Sequence, residues 1–166
     1  MNNHQVSSRA LHHLLSQSTL YNIQSSKPSS RLSKIGFDVG YKSTILLSNT
    51  QSLPYPPQNS LDVLKFLCSK VWLLLFGKQI DNLRTNHSGT YVIIDNNPLA
   101  YSGIIPINES SPHTNTFLEF HIGIIEGVLQ CLGVEIIDVT VNNNNEVGDD
   151  DYALEDKISF TIKISE

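Results

Sequence analysis

The chain has 166 residues, a formal net charge of -5 at pH 7 and a hydrophobic fraction of 40%. This length suits a single domain spanning residues 1–166, because a chain of this size buries roughly 68–70% of its extended surface and so forms a real core. The acidic balance excludes a protein that binds nucleic acid through its phosphates, since such proteins carry a basic face.

Two helices are predicted in the first third of the chain. Residues 9–23, which follow a polar tail at residues 1–8, carry apolar side chains at helical spacing: Leu11, Leu14 and Leu15. A second pattern follows a serine-rich linker, ends before the proline-rich stretch SLPYPPQ and contains Leu32, Ile35 and Val39. Gly36 and Gly40 are spaced wrongly for a phosphate-binding loop, so we predict that they serve helix packing.

The clearest helix lies at residues 60–76, SLDVLKFLCSKVWLLLF. Ser60 is the predicted N-cap, and Gly77 is the predicted stop. Polar side chains form only one narrow stripe on this helix, so most of its circumference should be buried against protein. The pattern therefore predicts a central core helix.

A hairpin is predicted directly after the core helix. Its strands lie at residues 81–86 and 90–95, the second rich in β-branched and aromatic side chains, and residues 87–89 form the turn. A capping box, Thr116-x-x-Glu119, then predicts the start of a fourth helix, which ends near a glycine at position 133.

One face of the fourth helix carries Glu119, Gly123, Glu126 and Gln130. Gly123 is open to two interpretations. It either thins the outer surface so that another helix or subunit can approach closely, or it is a tolerated surface glycine that costs about 1 kcal/mol of helix propensity.

Two further strands are predicted at residues 134–141 and 157–165. The acidic, asparagine-rich stretch between them, residues 142–156, is too poor in apolar groups to offset the entropy of ordering it, so we expect a disordered loop. The order is helix, helix, helix, strand, strand, helix, strand, strand. It predicts an α+β fold with helices packed on one side of a four-stranded antiparallel sheet.

The sequence offers no support for enzyme chemistry. His12 and His13 are adjacent and so point to different faces of a helix, and the other histidines have no partner at ligand spacing. No nucleophile elbow is present. Cys68 and Cys131 lie in apolar helical patterns, which favours buried thiols in a reducing compartment. We therefore expect no catalytic residue, metal or cofactor, and no apolar run is long enough to span a bilayer.

Three motifs resemble the TRAPP (transport protein particle) small-subunit family, which has the Bet-three-type fold. The segment LDVLKFLCSKVWLLLFGKQIDNLRTNHSGTY at 61–91 is similar to the core of the subunit-six branch. RLSKIGFDVG at 31–40 resembles the family's Gly-Phe-x-Val-Gly helix start, and GIIEGVLQCLGV at 123–134 resembles its last helix and following strand.

Within 61–91 four residues form the part of the family motif that we interpret as mainly structural: Asp81, Arg84, Asn86 and Gly89. The spacing of the polar residues in this segment matches no catalytic geometry. We expect Asp81, Arg84 and Asn86 to fix the exit of the core helix through local hydrogen bonds.

The resemblance implies a non-enzymatic assembly subunit that pairs with a Bet-three-type subunit and joins other TRAPP subunits. Such a complex tethers vesicles and promotes nucleotide exchange on a Rab GTPase in ER–Golgi traffic, so this chain is expected in the cytoplasm, peripheral on Golgi and ER membranes. Without its partner, this chain is a candidate for forming a homodimer. The chain departs from the family pattern at Glu126, where arginine is usual, and in its longer 142–156 segment.

The expected partner surface combines apolar side chains from the first two helices: Leu11, Leu14, Leu15, Ile35, Phe37 and Val39. An apolar stripe on a short helix beside a polar linker has little of its own domain to bury against. The alternative is a small-molecule or lipid-binding module of the same fold, which predicts an apolar cavity near Cys68 and Trp72. The family's acylated cysteine has no counterpart here, since its position falls near Ser18 and Thr19.

Overall fold

The computed structural model describes residues 29–49, 59–96, 112–143 and 157–165, which form an α+β fold. In chain order the elements are α1 at Ser29–Asn49, α2 at residues 60–76, β1 at Asn82–Thr85, β2 at Thr90–Asp95, α3 at Pro112–Cys131, β3 at Ile136–Asn143 and β4 at Ile158–Ile164. The predicted fold class is confirmed. The predicted helix at residues 9–23 lies outside the described residues, as does most of the predicted loop.

The sheet has the strand order β1-β2-β4-β3, and every neighbouring pair is antiparallel. One cross-strand row runs through Leu83, Ile93, Phe160 and Val141. Ile93 and Phe160, on the two central strands, are buried in the same apolar cluster as residues of all three helices. This face of the sheet therefore carries the helices and forms the core.

The third strand is longer than predicted at its far end. β3 begins at Ile136 rather than at residue 134 and runs on to Asn143, because Asn142 and Asn143 pair with Ser159 and Ile158 of β4. Those two asparagines were expected in the disordered loop at residues 142–156, so the loop starts later than the composition predicts.

Two predicted helix starts are wrong. α2 is capped by Asn59 rather than by Ser60: the Asn59 backbone is extended, and its side-chain Oδ1 accepts the backbone N–H of Asp62 at 2.9 Å. α3 begins at Pro112, ahead of the predicted capping box, so Thr116 lies inside the helix. Proline suits a first helical turn, since the N–H that it lacks has no partner there.

Both predicted helix stops are confirmed. Gly77 ends α2 with φ 75°, and its N–H donates to the carbonyl oxygen of Leu73 at 3.0 Å. Gly133 follows α3 with φ 76°, and its N–H donates to the carbonyl oxygen of Gln130 at 3.1 Å. Glycine adopts this left-handed conformation without the steric cost that a side chain would add.

Helix α2 is not uniform. It is α-helical at Ser60–Phe66, π-helical at Leu67–Val71 and α-helical again at Trp72–Phe76. Within the π-helical stretch the carbonyl oxygen of Cys68 accepts the N–H of Ile80 at 3.1 Å, which ties the helix to the chain returning from its end. The helix supplies much of the buried apolar cluster, as its wide apolar surface predicts, but Leu73 and Leu74 near its end are exposed rather than buried.

Glycines bring α1 and α3 into backbone contact. A Cβ atom added to Gly36 would lie 2.1 Å from the carbonyl oxygen of Phe120, and one added to Gly40 would lie 2.3 Å from that of Ile124. Real Cβ atoms essentially never come within 3.0 Å of such atoms. The helices can approach this closely only because no side chain stands between them, so the predicted packing role of these two glycines is confirmed.

The contact is reciprocal, because α3 also presents glycines to α1. A Cβ atom on Gly123 would lie 2.0 Å from the carbonyl oxygen of Ser33, and one on Gly127 would lie 2.2 Å from that of Phe37. Gly123 therefore does let another helix approach closely, but that helix is α1 of the same chain. The interpretation of Gly123 as a tolerated surface glycine is wrong.

Candidate interaction surface

Charged residues meet where α2 ends and the hairpin begins. Lys78 Nζ donates to Asp95 Oδ1 at 2.5 Å and to Asp81 Oδ2 at 3.0 Å. Trp72 Nε1 donates to the other oxygen of the buried Asp95 at 3.3 Å. Burial alone would lower the pKa of Lys78, but its hydrogen bonds to the two carboxylates raise it overall. The backbone N–H of Asn96, with Lys78, holds the pKa of Asp81 below its usual value.

The hairpin turn is held by the other polar motif residues. Asn86 Oδ1 accepts the backbone N–H groups of Ser88 at 2.9 Å and of Thr90 at 3.0 Å. Gly89 has φ 71°, and its carbonyl oxygen accepts the N–H of Ile164 in β4 at 2.9 Å. These contacts connect the turn to the sheet and leave no catalytic group facing another, which suits a structural motif.

Arg84 is placed differently from its neighbours in the motif. It lies on β1 opposite Val92, on the sheet face away from the helices, and its side chain is exposed. In the described ranges it takes part in no ion pair or side-chain hydrogen bond. The local hydrogen bonds expected of it are absent there.

We therefore expect Arg84→Ala to change the free energy of unfolding by less than about 0.5 kcal/mol, as for other exposed substitutions. Urea unfolding of the variant measures this. A decrease in the free energy of unfolding of more than about 1 kcal/mol would show that Arg84 has a structural role. A stable variant that no longer binds a TRAPP partner would make it an interface residue.

Helix α1 exposes four large apolar side chains. Ile35, Tyr41, Ile45 and Leu46 are 47%, 38%, 45% and 58% exposed. Among the residues predicted for the partner surface, Ile35 is exposed, Phe37 is half-buried, and Val39 is half-buried against the core. Leu11, Leu14 and Leu15 lie outside the described residues. Sequence reasoning missed Tyr41, Ile45 and Leu46, although their apolar character in a helix was visible.

Two carboxylates lie on the solvent side of α3. Glu119 and Glu126 are seven residues apart, so they share a helix face, and both are only partly exposed. Burial raises the pKa of Glu119, and burial together with the charge of Glu119 raises the pKa of Glu126. No ion pair to either is found among the described residues.

Aromatic rings occupy the interior near Cys68. The ring centroid of Trp72 lies 4.7 Å from that of Phe76, 5.8 Å from that of His121 and 6.1 Å from that of Phe160. Burial raises the pKa of the Cys68 thiol to about 12, so it is protonated and unreactive near neutral pH. These rings occupy space beside Trp72, where the lipid-binding alternative predicts a cavity, and the Cys68 thiol is inert.

We also searched the described part of the chain for metal-binding clusters and membrane-spanning helices. No group of three or more His, Cys, Asp or Glu side chains there is arranged to hold a metal ion. None of the helices in these ranges is both long enough and apolar enough to cross a bilayer.

The fold is that of a TRAPP small subunit. A crystal structure of a trafficking protein particle complex subunit 3 from Naegleria fowleri, covalently bound to palmitic acid, matches with a TM-score of 0.76, covering 98% of this chain and 97% of that one. Identity with that protein is 12%, so the match concerns the fold alone.

The family model for the transport protein particle (TRAPP) component matches residues 7–165, and the chain belongs to this family. Its relatives include human trafficking protein particle complex subunit 6A, 45% identical over 48% of this chain and 50% of that protein. Subunit 6b of Danio rerio is 38% identical over 65% of this chain and 67% of its own length. The matched region thus spans about half of the human relative.

Proposed function

We propose that this chain is a non-enzymatic assembly subunit of a TRAPP complex and that it pairs with a Bet-three-type subunit through the outward face of α1. One observation carries this proposal. Four of the seven large apolar side chains that are exposed among the described residues lie on this single helix. An apolar surface of this kind on a soluble protein marks a site of protein association.

The arrangement of these side chains suits a helix-packing interface. Ile35 and Leu46 are eleven residues apart and so lie near one line along α1, whereas Tyr41 and Ile45 are four apart and form a second line about a third of the circumference away. The exposed Asp38 and Lys42 lie between the two lines. A partner helix laid on this surface would contact both lines. Phe37 adds to it, because its ring stacks on that of Tyr41 with centroids 6.1 Å apart.

In such a complex the chain would act by assembly rather than by chemistry. The complex would tether vesicles and promote nucleotide exchange on a Rab GTPase in ER–Golgi traffic, with this chain cytoplasmic and peripheral on Golgi and ER membranes. Membership of the TRAPP family supports this assignment.

The test compares two identical substitutions at exposed isoleucines. Ile35→Asp, on α1, should weaken binding to the Bet-three-type subunit of the same organism by at least about tenfold, because it buries a charge in an apolar contact. Ile137→Asp, on the edge strand β3, should leave binding unchanged, although Ile137 is 68% exposed. Size-exclusion chromatography with light scattering measures the complex, and thermal unfolding confirms that both variants fold.

If both variants bind the partner equally well, the interface does not involve the exposed face of α1. A wild-type chain that stays monomeric beside a Bet-three-type subunit at micromolar concentration would remove the proposal. A wild-type homodimer that excludes such a subunit would replace the heterodimer with self-association through the same or another face.

A further inference from the structure

One edge of the α1 face continues onto α3. Phe37 and Tyr41 lie against the backbone at Gly127, whereas Gly36 and Gly40 meet α3 on the side that faces the core. Phe37 and Tyr41 therefore stand on the solvent side of the helix contact.

The α3 positions that border the contact on this same side are those of Glu119 and Glu126. Both residues share a helix face with Gly123, which lies against Ser33 and Phe37 of α1. We call the surface formed by Phe37, Tyr41, Glu119 and Glu126 the α1–α3 strip. It combines a stacked aromatic pair with two carboxylates.

The carboxylates of the strip are unfavourably placed in the free chain. Each is partly desolvated. Lys34 lies on the same face of α1 as Phe37 and Tyr41, but neither it nor any other lysine or arginine in the described ranges forms an ion pair with either carboxylate. Desolvation disfavours the ionised form of both carboxyl groups, and the charge of Glu119 adds to it at Glu126. A cation placed between the two carboxylates would offset both effects, so the charge of this strip is complementary to a basic side chain.

We propose that the α1–α3 strip receives a segment of the Bet-three-type partner that carries apolar side chains and one arginine or lysine, with the cation lying between Glu119 and Glu126. This rests on the proposed function, namely that α1 forms the subunit interface. The adjoining rings suit such a segment, because a guanidinium stacks on aromatic faces and its alkyl stem packs on apolar ones. The strip is continuous with exposed Ile45 and Tyr41 of the α1 face, so one partner segment can reach both.

The proposal has a distinctive dependence on pH. In the free chain burial raises the pKa values of both carboxyl groups, and a bound cation would lower them. The complex then holds fewer protons than the free chain, so affinity should increase as pH rises through the free-chain pKa values and weaken as pH falls. A purely apolar contact would not show this trend.

The experiment titrates the Bet-three-type subunit of the same organism against the full chain and three variants. Glu119→Gln and Glu126→Gln should each weaken binding about tenfold at about 50 mM salt, and both should lose most of the salt and pH dependence of the wild type. Glu135→Gln is the matched control, because Glu135 is an exposed acid that precedes β3, away from the strip. Its affinity should equal that of the wild type.

Thermal unfolding separates binding from folding in these variants. Removing a desolvated charge should leave the free chain at least as stable at pH 7, so a weaker complex cannot be attributed to a misfolded chain. Wild-type affinity and salt dependence in Glu119→Gln and Glu126→Gln would overturn the cation contact while leaving the α1 interface in place. Failure of the wild type itself to bind would overturn both proposals.

Discussion

Gly123→Ala should lower the free energy of unfolding by about 3 kcal/mol, which is large for the addition of one methyl group. The new Cβ atom would lie 2.0 Å from the backbone carbonyl oxygen of Ser33, and a backbone atom cannot rotate away as a side chain can. Helices α1 and α3 would have to separate by about 1 Å or more, which loosens packing along their whole contact. Urea unfolding followed by circular dichroism measures the loss.

A matched substitution at Gly77 gives the scale. Gly77→Ala also adds one methyl group, but no atom lies within 4 Å of the position that the new Cβ would take. Only the left-handed backbone of residue 77, with φ 75°, therefore disfavours alanine there. That costs about 1–2 kcal/mol. Alanine is also the better helix former, by about 1 kcal/mol, so a Gly123→Ala variant more stable than the wild type would contradict the backbone contact between α1 and α3.

The periodicity of apolar residues in α1 does not predict which side of the helix is buried. Leu32 and Ile35 both fit an apolar helical pattern, yet Leu32 is 1% exposed and Ile35 is 47% exposed. Apolar residues occupy more than one side of this helix, so their spacing alone does not determine which side is buried. Gly36 and Gly40 decide it, because the side that lacks side chains can approach α3 most closely.

The core helix and the sheet were predictable for a different reason. The wide apolar surface of α2 requires most of that surface to pack against the core, and alternation in β4 assigns Phe160 and Ile162 to the same buried face. The pairing of glycines between α1 and α3 was not predictable, because it depends on which helices become neighbours. Local sequence gives the lengths of elements better than it gives their contacts.

Only part of the interaction surface could be predicted from the sequence. Ile35 was identified from its own pattern, whereas the α1–α3 strip became visible only once the two helices were placed side by side, with Phe37 and Glu126 on the same side of their contact. Asp95 is a similar case: it closes a predicted strand, and only the folded chain brings Lys78 and Trp72 to its two oxygens. The local sequence does not show which residues from elsewhere in the chain will contact Asp95.

Asp95→Asn should destabilise the chain by about 2–3 kcal/mol, although the change preserves size and leaves an oxygen for Trp72 Nε1. Asp95 is 4% exposed and bonds both Lys78 and Trp72, so the substitution removes the main counter-charge of a partly buried ammonium. Trp72 is the only tryptophan in the chain, so its fluorescence during urea unfolding reports directly on this site.

Asp81→Asn is the control, because Asp81 also pairs with Lys78 but its side chain is 36% exposed. It should cost less than about 1 kcal/mol, as water replaces much of a surface pair. Equal losses for the two variants would show that burial of Asp95 does not decide the strength of the pair. In the double variant Lys78→Met with Asp95→Asn, no uncompensated ammonium is left, so its loss should fall below the sum of the two single losses by at least about 1 kcal/mol. Strict additivity would mean that Lys78 and Asp95 contribute separately, and that Asp95 acts mainly through Trp72.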